Sequence, residues 1–346
     1  MKAWDGYSPS PFHRLSGLAS RIGVADVWCK DESARFGIGS FKALGGAYAV
    51  LRTIQDELER RTGRRPDDRE LADRSHPAVR ELTTVTASAG NHGRSVAWGS
   101  ARFGCRCVVY LPEDAAPPRA AAIESHGAEV VRYPGVYDDA VDHARVQAAA
   151  NGWLVVSDTA YDGYEEIPRR VYEGYTLLAD ELLADLRDAG AAPLTHLFIQ
   201  TGVGGLAAGV LGHLWRELGS ERPRFVAVEP WRADCFGRSI RAGRAVSVEG
   251  PFATRMGGLA AGVPSPLAWT LLEGCLDAGV AIPEELTDRA AEALAAGELG
   301  ASISSGPSGA AGVGALLALG SLPSGRSLLG VDAASSVGVV VTEKRF

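Results

Sequence analysis

The sequence predicts an α/β protein made of two open, mostly parallel twisted sheets flanked by helices. Short apolar runs rich in valine and isoleucine alternate with helical patterns over most of its length, and that alternation builds βαβ units on a parallel sheet. The runs are nearly continuous in apolar residues, as strands covered on both faces tend to be. At 346 residues the chain passes the roughly 250–300 at which a single core stops growing, so two lobes are expected.

The first strand, 24–30 (VADVWCK), leads through a loop to a helix over 41–60. TTVT at 83–86 precedes a helix over 92–103, and RCVVYL at 106–111 one over 116–126. EVVRY at 129–133 is followed by a helix over 137–150, and WLVVS at 153–157 by one over 168–189. THLFIQ at 195–200 opens onto a helix over 206–218. FVAVE at 225–229 is a further strand, and SLLGV at 327–331 follows the last helix, 309–319. The Arg/Asp-rich stretch 60–80 reads as a linker or insertion, and no internal repeat is present. Residues 82–159 are expected to form a smaller, mobile lobe, and 1–81 with 160–346 a larger one that binds the cofactor.

Composition narrows the function. With 46% hydrophobic and 22% charged residues the chain is globular, and a net charge of −7 argues against a nucleic-acid partner. Arg60, Arg61, Arg64 and Arg65 cluster, but Asp67, Asp68, Glu70 and Asp73 dilute them at once. The N-terminus has no apolar core, and no run reaches the ~20 apolar residues of a membrane helix. No membrane partner and a cytoplasmic location are therefore expected. The five cysteines form no paired framework; Cys105 and Cys107 lack the second pair a zinc site needs. Reduced thiols and no metal are the expectation.

Sites in such sheets sit after the carboxyl ends of strands, and the unusual loops fall there. In the first, Lys30-Asp31-Glu32-Ser33 leads to Gly39-Ser40-Phe41-Lys42-Ala43-Leu44-Gly45-Gly46-Ala47. Lys42 opens a helix among small and apolar neighbours, which disfavour its ammonium form and free the amine to make an imine. A lysine that snorkels to solvent is the plainer alternative. The second loop is Thr86-Ala87-Ser88-Ala89-Gly90-Asn91-His92-Gly93-Arg94. Its small residues and N–H groups at a helix start suit a carboxylate, with Ser88 and Asn91 adding neutral hydrogen-bonding groups. His92 reads as structural rather than as a base, and an ordinary Gly-Asn turn is the alternative for the whole loop.

The third loop is Gln200-Thr201-Gly202-Val203-Gly204-Gly205-Leu206-Ala207-Ala208-Gly209. Successive N–H groups and a helix dipole make a phosphate cradle. The third glycine, Gly209, comes too late for a dinucleotide fingerprint, and the Walker lysine is absent. A monophosphate fits better than a dinucleotide or triphosphate. In the fourth, Asp158 of Ser157-Asp158-Thr159-Ala160-Tyr161-Asp162-Gly163-Tyr164 is either an active-site carboxylate or a cap. The fifth, Ser304-Ser305-Gly306-Pro307-Ser308-Gly309, binds substrate or permits tight packing.

In this order and combination the first three loops resemble the tryptophan-synthase-β-like enzymes of fold type II, which use pyridoxal phosphate (PLP). Within that group the chain is most similar to the diaminopropionate ammonia-lyases. KDESARFGIGSFKALGGAYAV, SDTAYDGYEEIPRRVYEGY, Glu229-Pro230 with Ala233-Asp234-Cys235, and MGGLAAGVPS at 256–265 carry the closer resemblance. It implies an active site between the lobes, with Lys42 carrying PLP as an imine and removing the substrate's Cα proton. It implies the phosphate on Gly202, Val203, Gly204, Gly205 and Leu206, and Asn91 at the ring's 3-oxygen. The substrate carboxylate would lie in the loop of Ser88, Ala89, Gly90, Asn91 and His92, and Asp158 would meet the second amino group. A homodimer is implied as well.

Two departures stand out. These lyases carry an aspartate before Gly-Asn-His, taken to deprotonate the D-isomer; here the residue is Ala89, as in threonine and serine dehydratases, so action on L-substrates only is expected. Where the family has Thr-Glu-Gly after its last strand, the chain is expected to read Val331-Asp332-Ala333-Ala334-Ser335-Ser336. Asp332 is the candidate partner of the ring nitrogen, which it would keep protonated, with Ser335 as the alternative. The expected activity is β-elimination of ammonia from L-2,3-diaminopropionate, giving pyruvate. An L-threonine/L-serine dehydratase or a β-replacement synthase on the same scaffold is the alternative. A non-catalytic PLP-binding protein is disfavoured, because Lys42 and the ligand loops are intact.

Overall fold

The computed structural model describes residues 1–74, 76–135 and 137–345, with Tyr137 and Asp138 described by backbone alone. The first half of the chain runs β1 (Phe12–Arg14), α1 (Ser16–Ile22), β2 (Asp26–Asp31), α2 (Lys42–Thr62), α3 (Pro77–Arg80), β3 (Thr83–Thr86), α4 (Asn91–Phe103), β4 (Arg106–Pro112), α5 (Pro117–Glu124), β5 (Glu129–Tyr133), α6 (Tyr137–Asn151) and β6 (Leu154–Val155). The second half runs α7 (Glu166–Asp188), β7 (His196–Gln200), α8 (Gly205–Leu218), β8 (Arg224–Pro230), α9 (Cys235–Ala242), α10 (Pro266–Leu272), β9 (Ala278–Ile282), α11 (Glu284–Ala295), α12 (Pro307–Leu319), α13 (Pro323–Leu329) and β10 (Ser336–Val341). Two compact units result: residues 1–7 with 42–174, and 8–41 with 175–346. The sequence grouped α2 with the larger lobe; in the structure it falls in the first unit.

The first unit holds a four-stranded sheet in the order β5-β4-β3-β6, all of its pairs parallel. Val85, Val108 and Tyr110 on the strands pack against Ala140, Ala144 and Ala148 of α6. α2 buries Ala43, Leu44, Ala47, Val50, Leu51, Ile54 and Leu58, a stripe at helical spacing. It meets α4 through small residues. A Cβ on Gly46 would stand 2.4 Å from Ser95 Oγ, and one on Gly99 2.7 Å from the Ala47 Cα. The stretch expected to be a linker folds back on α2: Gln55 Nε2 donates to the Pro66 carbonyl at 2.9 Å, and Arg65 pairs with Asp56 and Glu59.

The second unit holds a six-stranded sheet in the order β1-β2-β10-β7-β8-β9. β1 is antiparallel to β2, and the other pairs are parallel. Phe198, Val226, Val228, Val337 and Val339 build its core with Val313 and Leu316 of α12 and Leu294 of α11. α12 is apolar nearly all round, as a helix buried on all sides is. Part of the KDES run is structural. Lys30 is fully buried and donates to the Ser10 carbonyl at 2.8 Å and to Asp185 at 2.6 Å, while Arg35 bridges Glu32 and Glu181.

One strand assignment is corrected. The apolar SLLGV run at 327–331 lies mostly in a helix, because Pro323 starts α13 and Gly330, at φ +69°, closes it. The last strand is β10. The sequence also missed β1 and β9, the short edge strands of this sheet. Among the described residues, no helix is long and apolar enough to cross a membrane.

Candidate active site

In the first unit, three chain segments bring Lys42, His92 and Asp158 together. Lys42 is the first residue of α2, and its carbonyl accepts a 2.6 Å hydrogen bond from Ser95 Oγ of α4. His92 lies in the first turn of α4. Asp158 follows β6 and lies well before α7 begins, so it caps no helix. Its Oδ2 is 2.5 Å from Lys42 Nζ, with about a fifth of each side chain exposed. The surroundings of Lys42, expected to be small and apolar, thus include a carboxylate.

His92 is buried. Its Nε2 is 3.0 Å from the Val156 carbonyl, and its Nδ1 is 3.7 Å from Asp158 Oδ2. Burial lowers the imidazole's affinity for protons, against the pull of Asp158. Burial alone would raise the Asp158 carboxyl, but His92 and Lys42 outweigh it and hold the group well below the usual carboxylate range. The Asp158 segment is latched by Tyr164, which the sequence reading passed over. Its hydroxyl donates to the Val155 carbonyl at 2.9 Å and accepts the Ser157 N–H at 3.0 Å. The only hint in the sequence is the Asp162-Gly163 turn that folds it back.

Ser88, Ala89 and Gly90 lie in the partly exposed turn between β3 and α4, and Asn91, also partly exposed, opens α4. Ser88 Oγ accepts the Gly90 N–H at 3.3 Å. Gly93 is required there, since a Cβ would fall 2.0 Å from the Ser88 carbonyl oxygen. α4 opens on this turn at Asn91, and a helix start, with its backbone N–H groups and dipole, suits an anion.

In the second unit, Thr201, Gly202, Val203 and Gly204 leave β7 and Gly205 and Leu206 open α8. Gly202 and Gly204 have φ of +54° and +102°. A Cβ on Gly204 would lie 2.5 Å from Phe236 Cζ and 2.7 Å from the Ala268 Cβ. Thr201 Oγ1 is buried with no hydrogen-bond partner among the described residues, a group that a phosphate oxygen would satisfy. Backbone that only glycine tolerates, a helix start and an orphaned hydroxyl together fit a monophosphate.

Asp332 does not belong with this cradle. β10 runs parallel to β7 with Val337 opposite His196 and Val339 opposite Phe198, so Asp332 and Ser335 precede β10 at the end of the sheet where β7 begins. There Asp332 Oδ1 accepts the Ala334 N–H and the Ser335 hydroxyl, both at 3.0 Å, closing a surface turn. The residue at the cradle's end of β10 is Thr342, 3% exposed. Its Thr-Glu pair stands where the resemblance places Thr-Glu-Gly, with Lys344 in the third position. The sequence reading missed it by ending the strand pattern too early. The 304–309 loop serves tight packing: the Gly306 N–H donates to the Glu343 carbonyl at 3.2 Å, and a Cβ on Gly309 would stand 2.6 Å from the same oxygen.

Comparisons with known proteins agree with this chemistry. A family model described as "Pyridoxal-phosphate dependent enzyme" matches residues 3–333. The diaminopropionate ammonia-lyase of Escherichia coli (strain K12) is 39% identical over 333 residues, 94% of this chain and 80% of that protein. The crystal structure of the Escherichia coli enzyme in complex with an aminoacrylate-PLP azomethine reaction intermediate superposes with a TM-score of 0.87 at 37% identity, covering 98% of this chain and 85% of that one. A probable D-serine dehydratase of Acidovorax sp. (strain JS42) is more distant, 30% identical over 68% of this chain and 52% of that protein.

Proposed function

The chain belongs to the pyridoxal-phosphate-dependent enzymes, and on that premise we propose that it eliminates ammonia from L-2,3-diaminopropionate. One water is consumed, and pyruvate and two ammonia molecules are released. The observation that carries the substrate is the Asp158 carboxylate beside Lys42, since a β-ammonium gains from a carboxylate in a way that a β-hydroxyl does not. The diaminopropionate ammonia-lyases are also closer in sequence than the probable D-serine dehydratases.

When bound, PLP withdraws electrons from the substrate's Cα, making its proton acidic and the β-group able to leave. Lys42 would hold the cofactor and, as the free amine, take the Cα proton. Gly202, Val203, Gly204, Gly205 and Leu206 would hold the phosphate, with Thr201 Oγ1 supplying a hydroxyl. Asn91 would face the ring's 3-oxygen, and Thr342, in place of Asp332 or Ser335, the ring nitrogen. Ser88 and the N–H groups opening α4 would bind the substrate carboxylate. Asp158 would bind the β-ammonium and orient it, itself positioned by His92 and by the Tyr164 latch. Ala89 leaves Lys42 as the base at Cα, so the L-isomer is the substrate.

We further infer that the protein works as a homodimer in the cytoplasm. The family resemblance supports the first, and unbridged cysteines, four of the five buried, support a reducing compartment. Light scattering of the purified protein gives the assembly size.

The experiment that tests the substrate is release of 2-oxo acid from a panel of β-substituted L-alanines. L-2,3-diaminopropionate should be turned over with the highest kcat/KM. Ala89 favours the rival reading, and activity confined to L-serine or L-threonine would replace the lyase with a dehydratase.

A further inference from the structure

Behind the phosphate cradle lies a buried acid that the reaction leaves unused. Glu229 occupies the carboxyl end of β8, and 1% of it is exposed. Its two oxygens point into the first turn of α9. Oε1 accepts the Phe236 N–H at 2.8 Å and Oε2 the Gly237 N–H at 2.7 Å, and Cys235 Sγ lies 3.7 Å from Oε1. A helix start is where a buried carboxylate is best tolerated, because unpaired N–H groups and the helix dipole meet it there.

The same turn of α9 touches the cradle. Cys235 Sγ is 3.9 Å from the Gly202 carbonyl oxygen. The Phe236 ring fills the place where a Gly204 side chain would be. What anchors α9 therefore braces Gly202 and Gly204, the two positive-φ glycines of the phosphate loop.

We propose that Glu229 is a positioning residue for the cofactor phosphate: its ionised carboxylate pins the start of α9, which holds Gly202 and Gly204 in their phosphate-binding conformation. This rests on the cofactor reading above. A protonated carboxyl has only one good acceptor oxygen for two N–H groups, so the grip on phosphate weakens as the acid takes up its proton. Burial pushes the Glu229 carboxyl up to about 7, against the bonds from Phe236 and Gly237. The ionisable groups that act on it from the α9 start are Asp234 and Cys235, Asp234 being tied to Arg238 and to Arg241, whose guanidinium also lies on the Gly237 side of α9. The neighbouring strand β9 (AGVAI) and the loop from Thr201 to Gly205 carry no ionisable side chain.

The test compares PLP with pyridoxal, which lacks the phosphate. Each is titrated into the cofactor-stripped protein, and the visible band of the lysine-bound form gives Kd. Glu229→Gln, whose amide offers one acceptor oxygen, should raise Kd for PLP about tenfold, as loss of one hydrogen bond to a charged group does. Kd for pyridoxal should stay nearly unchanged. In the wild type the preference for PLP over pyridoxal should fall between about pH 8 and 6 more steeply than in the Gln variant, which cancels the phosphate's own ionisation. Equal weakening of both ligands, or of neither, overturns the proposal, as does the same pH dependence in both proteins. If Glu229→Gln fails to fold, Phe236→Leu is measured in the same way: selective loss of PLP supports the brace, and equal loss of both ligands overturns it. A wild type with no lysine-bound band for PLP overturns the cofactor reading and this proposal together, whereas a band with no selective effect overturns this proposal alone.

Discussion

Nζ of Lys42 and Oδ2 of Asp158 stand 2.5 Å apart although 116 positions separate them in the sequence. The pair lets one carboxylate meet one cation, from the protein or from a substrate's β-ammonium. Asp158→Asn keeps the shape and removes the charge. A hydrogen bond to a charged group contributes about 1.5–3 kcal/mol, so kcat/KM for L-2,3-diaminopropionate should fall roughly 10- to 150-fold. The loss on L-serine, whose β-hydroxyl is neutral, should be smaller. Steady-state 2-oxo acid assays check this, and equal losses on both substrates would remove Asp158 from substrate recognition.

Asp158 also sets a pH dependence of stability. Its carboxyl is held below its ordinary value in the folded protein by His92 and Lys42, despite burial. A depressed acid stabilises the fold above its unfolded pKa, near 4, and that contribution is lost as pH falls through the folded pKa. The Tm difference between the wild type and Asp158→Asn should therefore be flat between about pH 5 and 8 and shrink below about 4. A difference that grows on acidification would show that the carboxylate is not stabilised by these partners.

The parallel strands were legible because burial on both faces leaves a continuous apolar run, as in THLFIQ and FVAVE. The glycine loop and Lys42 were legible because their residue types have few other uses after a strand. Less legible was anything set by register. SLLGV carries the hydropathy of a strand, yet Pro323 and Gly330 make it a helix, and that displaced the ring-nitrogen candidate from Thr342 to Asp332. Partnerships across long separations, such as His92 or Lys42 with Asp158, leave no local pattern, since each depends on where distant segments end.

Ala89 predicts stereospecificity. It lies in the partly exposed turn between β3 and α4, in a position where related lyases carry an aspartate. With no acid there, D-2,3-diaminopropionate should give no 2-oxo acid above background. Ala89→Asp should introduce turnover of the D-isomer while retaining that of the L-isomer. Rapid turnover of the D-isomer by the wild type would require a second base elsewhere.

Thr342 and Asp332 make opposite predictions about the cofactor ring. Thr342 is buried at the carboxyl end of β10, level with the cradle that follows β7. Thr342→Ala should lower kcat about tenfold, as expected for one lost hydrogen bond of ~1.4 kcal/mol, and should shift the absorbance of the bound cofactor. Asp332 closes a surface turn at the opposite end of the strand. Asp332→Ala should leave kcat within about twofold and the spectrum unchanged, as for a surface substitution remote from the chemistry. The spectrum separates the two cases even if Thr342→Ala costs some stability, because a packing defect lowers Tm without changing the absorbance of the bound ring. A spectral shift in Asp332→Ala and none in Thr342→Ala would reverse the assignment.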